Sequence, residues 1–479
     1  MNEDLLAGIL IIDLSQGVAA AYCGRLLAGC GADVIKVERP GSDDASRAPD
    51  PNSHLDAGKK GITLDYTQPS GVSLLRRLVE GADALIEDHP PDYLGSLGLG
   101  YRELNTANPR LIVVSVTPDG SGGPFAERLV GLNAFAATLV GLLSAAGIER
   151  GQHVEVAGSE CLAAAASLPG IDLGRTPSPP LDPSELRDMM GVPLKAGRAP
   201  RPGEHNDEVY RGVLGLTQEE LLYAAGSGGC LMRRLPLTAV RVLSLGAAPA
   251  GAYCARLLGD AGAEVIRVEP VARRDGPDER RLYLHLNRNK LGCTLDLSHP
   301  RGRDLLLRLA ARSNVVVESL TAGERERLGL TYEALRAARP DIIVASVGGP
   351  EEETNISVAD VATGTAAAGA VCAALLHHRH TGSGLRIEII APATARTPAL
   401  SPDLHSKDRL LLEPVSHPDG QIEEMAGLPW RFSETPAHVR LPAPRPGEHN
   451  RYVFGDLLGL SSQEMAELER EGVIGRRDG

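Results

Sequence analysis

The sequence predicts an α/β fold built from two Rossmann-like, parallel-sheet units related by internal duplication. Two observations carry this prediction. Several segments recur in the same order in both halves, and the clearest is RPGEHN, at 201–206 and again at 445–450. Within each half, short apolar runs with β-branched residues alternate with segments of helical spacing. We divide the chain into a first unit at 1–228, a linker at 229–234 and a second unit at 235–479.

The elements of the first unit follow one another in a regular order. ILIIDLS predicts a strand, AAYCGRLLAGCGA a helix that ends at Gly31, and DVIKVE a second strand. The helix SGVSLLRRLVEGA, the strand ALIED, a helix around YRELNTA and the strand RLIVVSV come next. Because ligands of such sheets bind beyond the carboxyl ends of the strands, we expect a site near 13–15, 38–39 and 87–88.

Composition excludes several classes of protein. The net charge is −13 and no Lys/Arg cluster offsets it, which argues against a nucleic-acid partner. Seven cysteines without a CxxC pair predict neither disulfides nor a metal site and favour a reducing, cytoplasmic location. The chain starts with acids where a signal peptide would be basic. The long apolar stretch 130–147 is predicted to be a buried core helix, so no membrane association is expected.

The repeated segments resemble the family III CoA transferases, also called the CaiB/BaiF family. That family includes formyl-CoA and carnitine-CoA transferases and shares its fold with the α-methylacyl-CoA racemases. Its opening motif resembles 19–40 and 250–270, its LNRxK motif resembles 286–297, and its closing motif resembles both RPGEHN regions. Each copy is shorter than a family member, and the family's smaller second domain is largely missing. The resemblance therefore implies a compact intrachain pseudo-dimer, with further homo-oligomers left open.

The resemblance also implies a nucleophile. Family transferases use an aspartate that attacks the thioester, and a carboxylate suits this role because it is both nucleophile and leaving group. The matching residue is Asp360 in VADVATG, and counting back from GSGL to RGQH aligns it with Glu127 in the first copy. The alternatives are that Asp360 only N-caps the following helix and that the match at Glu127 is accidental.

By the same resemblance, five residues would contact coenzyme A: Arg39, Lys59, Asn289, Lys290 and Arg327. Basic side chains suit its phosphates, although any of them could instead be a solvated surface charge. Pro270 replaces the Arg39 equivalent and Ser96 replaces the Arg327 equivalent. Since the second copy keeps more of the set, we expect at most one functional site, biased toward that copy. The HHRH run at 377–380 is predicted to be an exposed helix end without metal.

Together these features predict a CoA-transferase-like enzyme that acts on acyl-CoA and carboxylic acids through an aspartyl intermediate in the second copy. One alternative is a degenerate, non-catalytic acyl-CoA or acyl-carrier binding or scaffold protein. Another is a derived racemase-like or novel reaction. Racemisation needs a paired acid and base, and the family's histidine for that role lies in the missing block.

Overall fold

A computed structural model describes most of both predicted units. The described residues are 5–39, 55–56, 58–118, 124–168, 235–270, 277–348, 356–390, 412–416, 422–426, 431–432, 450–451, 454–455, 458 and 460–471. The predicted linker at 229–234 and the first RPGEHN segment lie outside this set, and so does the second except for Asn450.

The first unit contains a twisted parallel sheet with helices on both faces. Its strands are β1 (Leu10–Asp13), β2 (Asp33–Glu38), β3 (Lys60–Thr63), β4 (Ala84–Glu87), β5 (Ile112–Thr117) and β6 (His153–Ala157). Its helices are α1 (Val18–Gly29), α2 (Pro69–Glu80), α3 (Tyr93–Ser96), α4 (Tyr101–Ala107), α5 (Pro124–Ile148) and α6 (Gly158–Ala166). The strands lie side by side in the order β6-β5-β4-β1-β2-β3.

The second unit repeats this arrangement. Its strands are β7 (Arg241–Gly246), β8 (Glu264–Glu269), β9 (Lys290–Thr294), β10 (Val315–Ser319), β11 (Ile343–Gly348) and β12 (Arg386–Ile390). Its helices are α7 (Pro249–Asp260), α8 (Pro277–Asn287), α9 (Pro300–Ala310), α10 (Ala322–Leu328), α11 (Tyr332–Ala338) and α12 (Val358–Thr381). The order β12-β11-β10-β7-β8-β9 matches that of the first sheet, which confirms the predicted duplicated α/β fold.

The C-terminal part of the chain touches both sheets. After an antiparallel hairpin of β13 (Leu412–Ser416) and β14 (Ile422–Ala426), the short strand β15 (Arg431–Phe432) adds antiparallel to β6 of the first sheet. Asn450 then accepts a hydrogen bond from Thr294 N at 3.0 Å, at the end of β9. The last helix, α13 (Ser462–Arg470), buries Leu468 in the core of the second unit.

The two units share one apolar core. The long helices α5 and α12 pack against each other, α5 also covers α1, and α12 also covers α7. The contact is close: a Cβ atom on Gly369 would lie 2.5 Å from Cε1 of Phe135. Arg379 of α12 also donates a hydrogen bond of 2.9 Å to the carbonyl of Leu143 in α5. The outer faces of the sheets have separate cores, under α2–α4 in one unit and α9–α11 in the other.

Both central helices are apolar along their length, which raises the question of membrane spans. The segments Ala126–Ile148 and Val358–Thr381 reach a mean hydropathy of 1.9 and 1.5 and are long enough to cross a bilayer. In each, 94% of the apolar window is buried inside the protein. Their apolar surface is therefore occupied by protein contacts, and the prediction of a buried core helix at 130–147 is confirmed.

Candidate functional site

In the first unit, polar side chains gather where β1 and β4 end, at the sheet edge predicted to bind a ligand. Asp88 accepts hydrogen bonds from the backbone N–H groups of Gln16 (2.8 Å) and Gly17 (2.7 Å). Gly17 is the N-cap residue of α1. Because glycine has no side chain, Asp88 supplies the oxygen that caps the helix. Burial raises the pKa of Asp88, and these two hydrogen bonds oppose that rise.

A histidine network stands next to this cap. His89 Nε2 lies 3.0 Å from Tyr66 Oη and 3.1 Å from Gln16 Nε2, and its Nδ1 lies 3.3 Å from Glu87 Oε2. The His89 ring stacks on Tyr93 with 5.0 Å between centroids. Arg39, a predicted CoA contact, donates to Tyr93 Oη at 3.2 Å and so lies at the same edge. Sequence reasoning missed Tyr66, His89 and Tyr93, although the position of His89 two residues after β4 could have signalled it.

Lys59, also a predicted CoA contact, is enclosed beneath α1. Its ammonium donates to Asp13 Oδ2 at 2.7 Å, Asp56 Oδ1 at 2.9 Å and the carbonyl of Ala21 at 3.0 Å. Its side chain and that of Asp13 are both fully buried. Gly24 of α1 lies over this pair, where a Cβ atom would come within 2.3 Å of Asp13 Oδ2. Lys59 therefore belongs to a buried cluster of paired charges.

Lys290 occupies the corresponding place in the second unit, where neutral groups accept its hydrogen bonds in place of the two carboxylates around Lys59. Its ammonium donates to the carbonyl of Ala252 at 2.8 Å and to Asn287 Oδ1 at 3.0 Å. Asn287 replaces Asp56. Ser244 replaces Asp13, because its pairing with Arg267 across β7 and β8 corresponds to the pairing of Asp13 across β1 and β2. Burial first, and the neighbouring Arg267 second, hold the pKa of Lys290 well below its usual value.

The other two predicted CoA contacts of the second unit differ in exposure. Asn289 is buried, adopts a left-handed backbone with φ 59°, and donates to Asp260 Oδ1 at 2.7 Å. Asparagine tolerates that conformation better than most residues. Asp260 also binds Arg288, so Asn289 belongs to a buried structural cluster. Arg327, in contrast, is exposed on the last turn of α10.

Asp360 lies in the first turn of α12. Ser357 is the N-cap residue, and Asp360 completes a capping box by accepting hydrogen bonds from Ser357 N (2.8 Å) and Ser357 Oγ (2.6 Å). Both bonds engage Oδ2, while Oδ1 makes no hydrogen bond with a described residue. The residue is 4% exposed. Asp360 therefore does help to cap the helix, but it does so from the third helical position, and the N-cap residue itself is Ser357.

Two glycines with equivalent surroundings show which residue of the first unit corresponds to Asp360. A Cβ atom on Gly364 would lie 2.7 Å from the Ala250 carbonyl and 3.0 Å from the Tyr253 ring. A Cβ atom on Gly131 would lie 2.6 Å from the Ala19 carbonyl and 3.0 Å from the Tyr22 ring. Asp360 and Glu127 each stand four residues before these glycines, so they hold corresponding places in α12 and α5.

The thiols and carboxylates of the described residues offer no metal centre. No group of three or more His, Cys, Asp or Glu side chains within the described ranges could hold a metal ion. The six described cysteines are all free and buried, and burial raises the pKa of Cys23, Cys30 and Cys254 to about 12. Buried thiols with such high pKa values are unreactive.

The fold and these sites define a duplicated α/β protein with an acidic residue at the start of each central helix. A family model described as CoA-transferase family III matches residues 6–169 and 237–350, which together make up more than half of the sequence. The chain belongs to CoA-transferase family III, as its motifs predicted.

Several known proteins are similar to this chain over part of their length. The chain is 38% identical over 165 residues to a succinate–glutarate CoA-transferase of Agrobacterium fabrum, covering 31% of this chain and 41% of that protein. It is 33% identical over 162 residues to the human succinyl-CoA:glutarate CoA-transferase, covering 32% and 37%. A crystal structure of a CaiB/BaiF family protein from Brucella suis is 28% identical, with a TM-score of 0.31, covering 33% and 54%. The matches thus span about two fifths of the named relatives.

Proposed function

We propose that the protein is a CoA transferase that moves coenzyme A between small carboxylic acids, with Asp360 as nucleophile. The observation that carries the proposal is the position of Asp360: a family III chain places this carboxylate in the first turn of α12, with Oδ2 anchored by Ser357. Partial positive charge at a helix N-terminus favours a carboxylate there. The anchoring bonds fix the side chain, which is the kind of preorganisation that a nucleophile needs.

The proposed reaction proceeds in four balanced steps. A carboxylate oxygen of Asp360 attacks the thioester carbonyl, and the C–S bond breaks. The CoA thiolate departs, and an acyl–aspartyl anhydride remains on the protein. The thiolate then attacks the aspartyl carbonyl, releases the donor acid as carboxylate and forms an aspartyl–CoA thioester. The acceptor carboxylate attacks that thioester, the C–S bond breaks, and a second anhydride forms between the acceptor and Asp360. The thiolate then attacks the acceptor carbonyl of this anhydride, which forms the new acyl-CoA and releases Asp360 as carboxylate. No metal takes part in these steps.

Arg39 and Arg327 are the proposed direct contacts for coenzyme A. Arg39 lies at the polar edge of the first unit beside Tyr93, and Arg327 is exposed on α10. Guanidinium groups bind phosphate oxygens through paired donors. Lys59, Asn289 and Lys290 are buried, so in this proposal they support the sites from within. The proposed substrates are small acyl-CoA and carboxylic acid molecules, and the proposed location is the cytoplasm.

Mass spectrometry after incubation with succinyl-CoA and hydroxylamine tests the nucleophile. Hydroxylamine converts an aspartyl thioester into a stable hydroxamate, so we expect a modified peptide that contains Asp360. Asp360→Asn should abolish both the adduct and CoA transfer to glutarate. Glu127→Gln, at the corresponding place in the first unit, is the matched control and should leave both unchanged. Transfer by Asp360→Asn at the wild-type rate would disprove the role of Asp360.

A second candidate is a non-catalytic acyl-CoA binding protein, and the burial of Asp360 at 4% exposure favours it. A binding protein would be stabilised by coenzyme A without forming an adduct. Ligand at a hundredfold excess over its Kd adds about 2.7 kcal/mol to the free energy of unfolding. Stabilisation of that size by CoA, with no hydroxamate and no transfer, would select this function over the enzyme.

A further inference from the structure

A serine and a histidine meet on the outer face of the first sheet, away from the core that the two units share. Ser115 of β5 and His153 of β6 point away from Val114 and Val154, which belong to that core. The distance between Ser115 Oγ and His153 Nε2 is 2.8 Å. This is within the range in which a base takes the proton of a nucleophile.

Two further side chains lie next to the histidine. Its Nδ1 lies 3.9 Å from Glu155 Oε1, and its ring stacks on Tyr101 with 5.6 Å between centroids. Glu155 is aligned with Ser115 across the sheet, and Ser115 is aligned with Glu87. With the proton on Nδ1, facing Glu155, Nε2 is left to accept the Ser115 hydroxyl proton.

The electrostatic setting suits a base. Burial lowers the pKa of His153 below its ordinary value of 6.5, while Glu155 and Glu87 oppose that change. The imidazole is therefore neutral at physiological pH, the form that accepts a proton. Ser115 is half-buried and 26% of the His153 side chain is exposed, so the pair borders solvent.

The second unit has the serine without the base. Ser346 is the counterpart of Ser115, but Arg386 stands in place of His153 and forms an ion pair with Glu388. The hydroxyl of Ser346 has no hydrogen-bond partner among the described residues. The duplication therefore supplies a natural comparison, in which only the first unit joins a nucleophile to a base.

We propose that Ser115 and His153 form a nucleophile–base pair that takes up acyl groups from small esters and thioesters. Ser115 Oγ attacks the acyl carbonyl, its proton passes to His153 Nε2, and the C–O or C–S bond to the leaving group breaks. His153 gives the proton to the departing oxygen or sulfur. Water then attacks the acyl-serine with His153 as base, which releases the carboxylic acid and restores Ser115.

A fluorophosphonate probe tests the pair independently of Asp360, because it reacts with activated serine hydroxyls. Serine oxygen displaces fluoride from phosphorus, and the serine proton passes to the base. We expect one labelled serine, Ser115, and no labelling in Ser115→Ala. His153→Gln should slow labelling by about 10²-fold or more, the usual contribution of a general base. Ser346→Ala, the matched control, should react like the wild type.

The pH profile separates catalysis from a merely structural hydrogen bond. The labelling rate should rise with pH and reach half its maximum below pH 6.5, because burial lowers the pKa of His153. Circular dichroism of each variant shows that it is folded. An unlabelled Ser115 in the folded wild type, or wild-type labelling of His153→Gln, would overturn the proposal and leave the role of Asp360 untouched.

Discussion

Each unit encloses a buried lysine beneath its first helix, but the groups that accept hydrogen bonds from this lysine differ between the units. In the first, Lys59 lies within 3 Å of both Asp13 and Asp56, and Gly24 leaves room above them. In the second, the acceptors of Lys290 among the described residues are both neutral. Ala255 takes the place of Gly24.

Both units keep a hydrogen-bond donor at this point, although the charges around it differ. In both units the lysine amine donates to the carbonyl of the alanine before the tyrosine, Ala21 or Ala252. The first unit neutralises the buried ammonium with carboxylates. In the second, burial and the neighbouring Arg267 lower the pKa of Lys290, which favours its neutral form.

Replacing each lysine by methionine should give the largest difference between the units in the free energy of unfolding. Lys59→Met leaves Asp13 and Asp56 buried without their main partner, and breaking a buried ion pair in this way costs about 3–5 kcal/mol. Lys290→Met removes an amine that pairs with neutral acceptors, so the hydrogen bonds to Ala252 and Asn287 are lost, at a cost of about 1–2 kcal/mol. Urea unfolding measures both values. Equal losses would refute the contrast between the units.

Exchanging the helix residues above the lysines should give a smaller effect. Gly24→Ala places a Cβ atom 2.3 Å from Asp13 Oδ2, and such overpacking costs about 1–3 kcal/mol. Ala255→Gly creates no clash and should cost about 1 kcal/mol, the difference in helix propensity. Thermal melts of both variants provide the comparison. If Gly24→Ala proved as stable as the wild type, Asp13 would not be held where we describe it.

The smallest expected effect is a dependence of stability on pH. Because the pKa of Lys290 is lowered in the folded state, the unfolded chain binds more protons between that value and 10.5. The free energy of unfolding should therefore rise with pH in this window, by at most ~1.4 kcal/mol per pH unit. The difference between wild type and Lys290→Met, measured in urea at several pH values, isolates this slope. A difference that stays constant with pH would show that Lys290 remains charged when folded.

Much of the fold could be predicted from the sequence because its signals are local. Apolar runs such as ILIID and VVVES mark buried strands, and the repeats fix the correspondence of the two sheets. The placement of Asp360 at the start of a long helix also followed from the sequence.

The contacts of the sites could not be predicted, because they join distant residues. Lys59 meets Asp13 across 46 positions, and Gln16 meets His89 across 73. A lysine next to a strand gives no sign of whether it faces water or the underside of a helix. The pairing of β15 with β6 was equally hidden, since two residues carry no periodicity.

The contact of Phe135 with Gly369 ties the two halves into one body, and this has an evolutionary consequence. A homodimer must carry every substitution twice, so its subunits change together. In this chain the copies are inherited as one gene product in fixed one-to-one proportion. One half was therefore free to lose or gain a charged group while the other kept it.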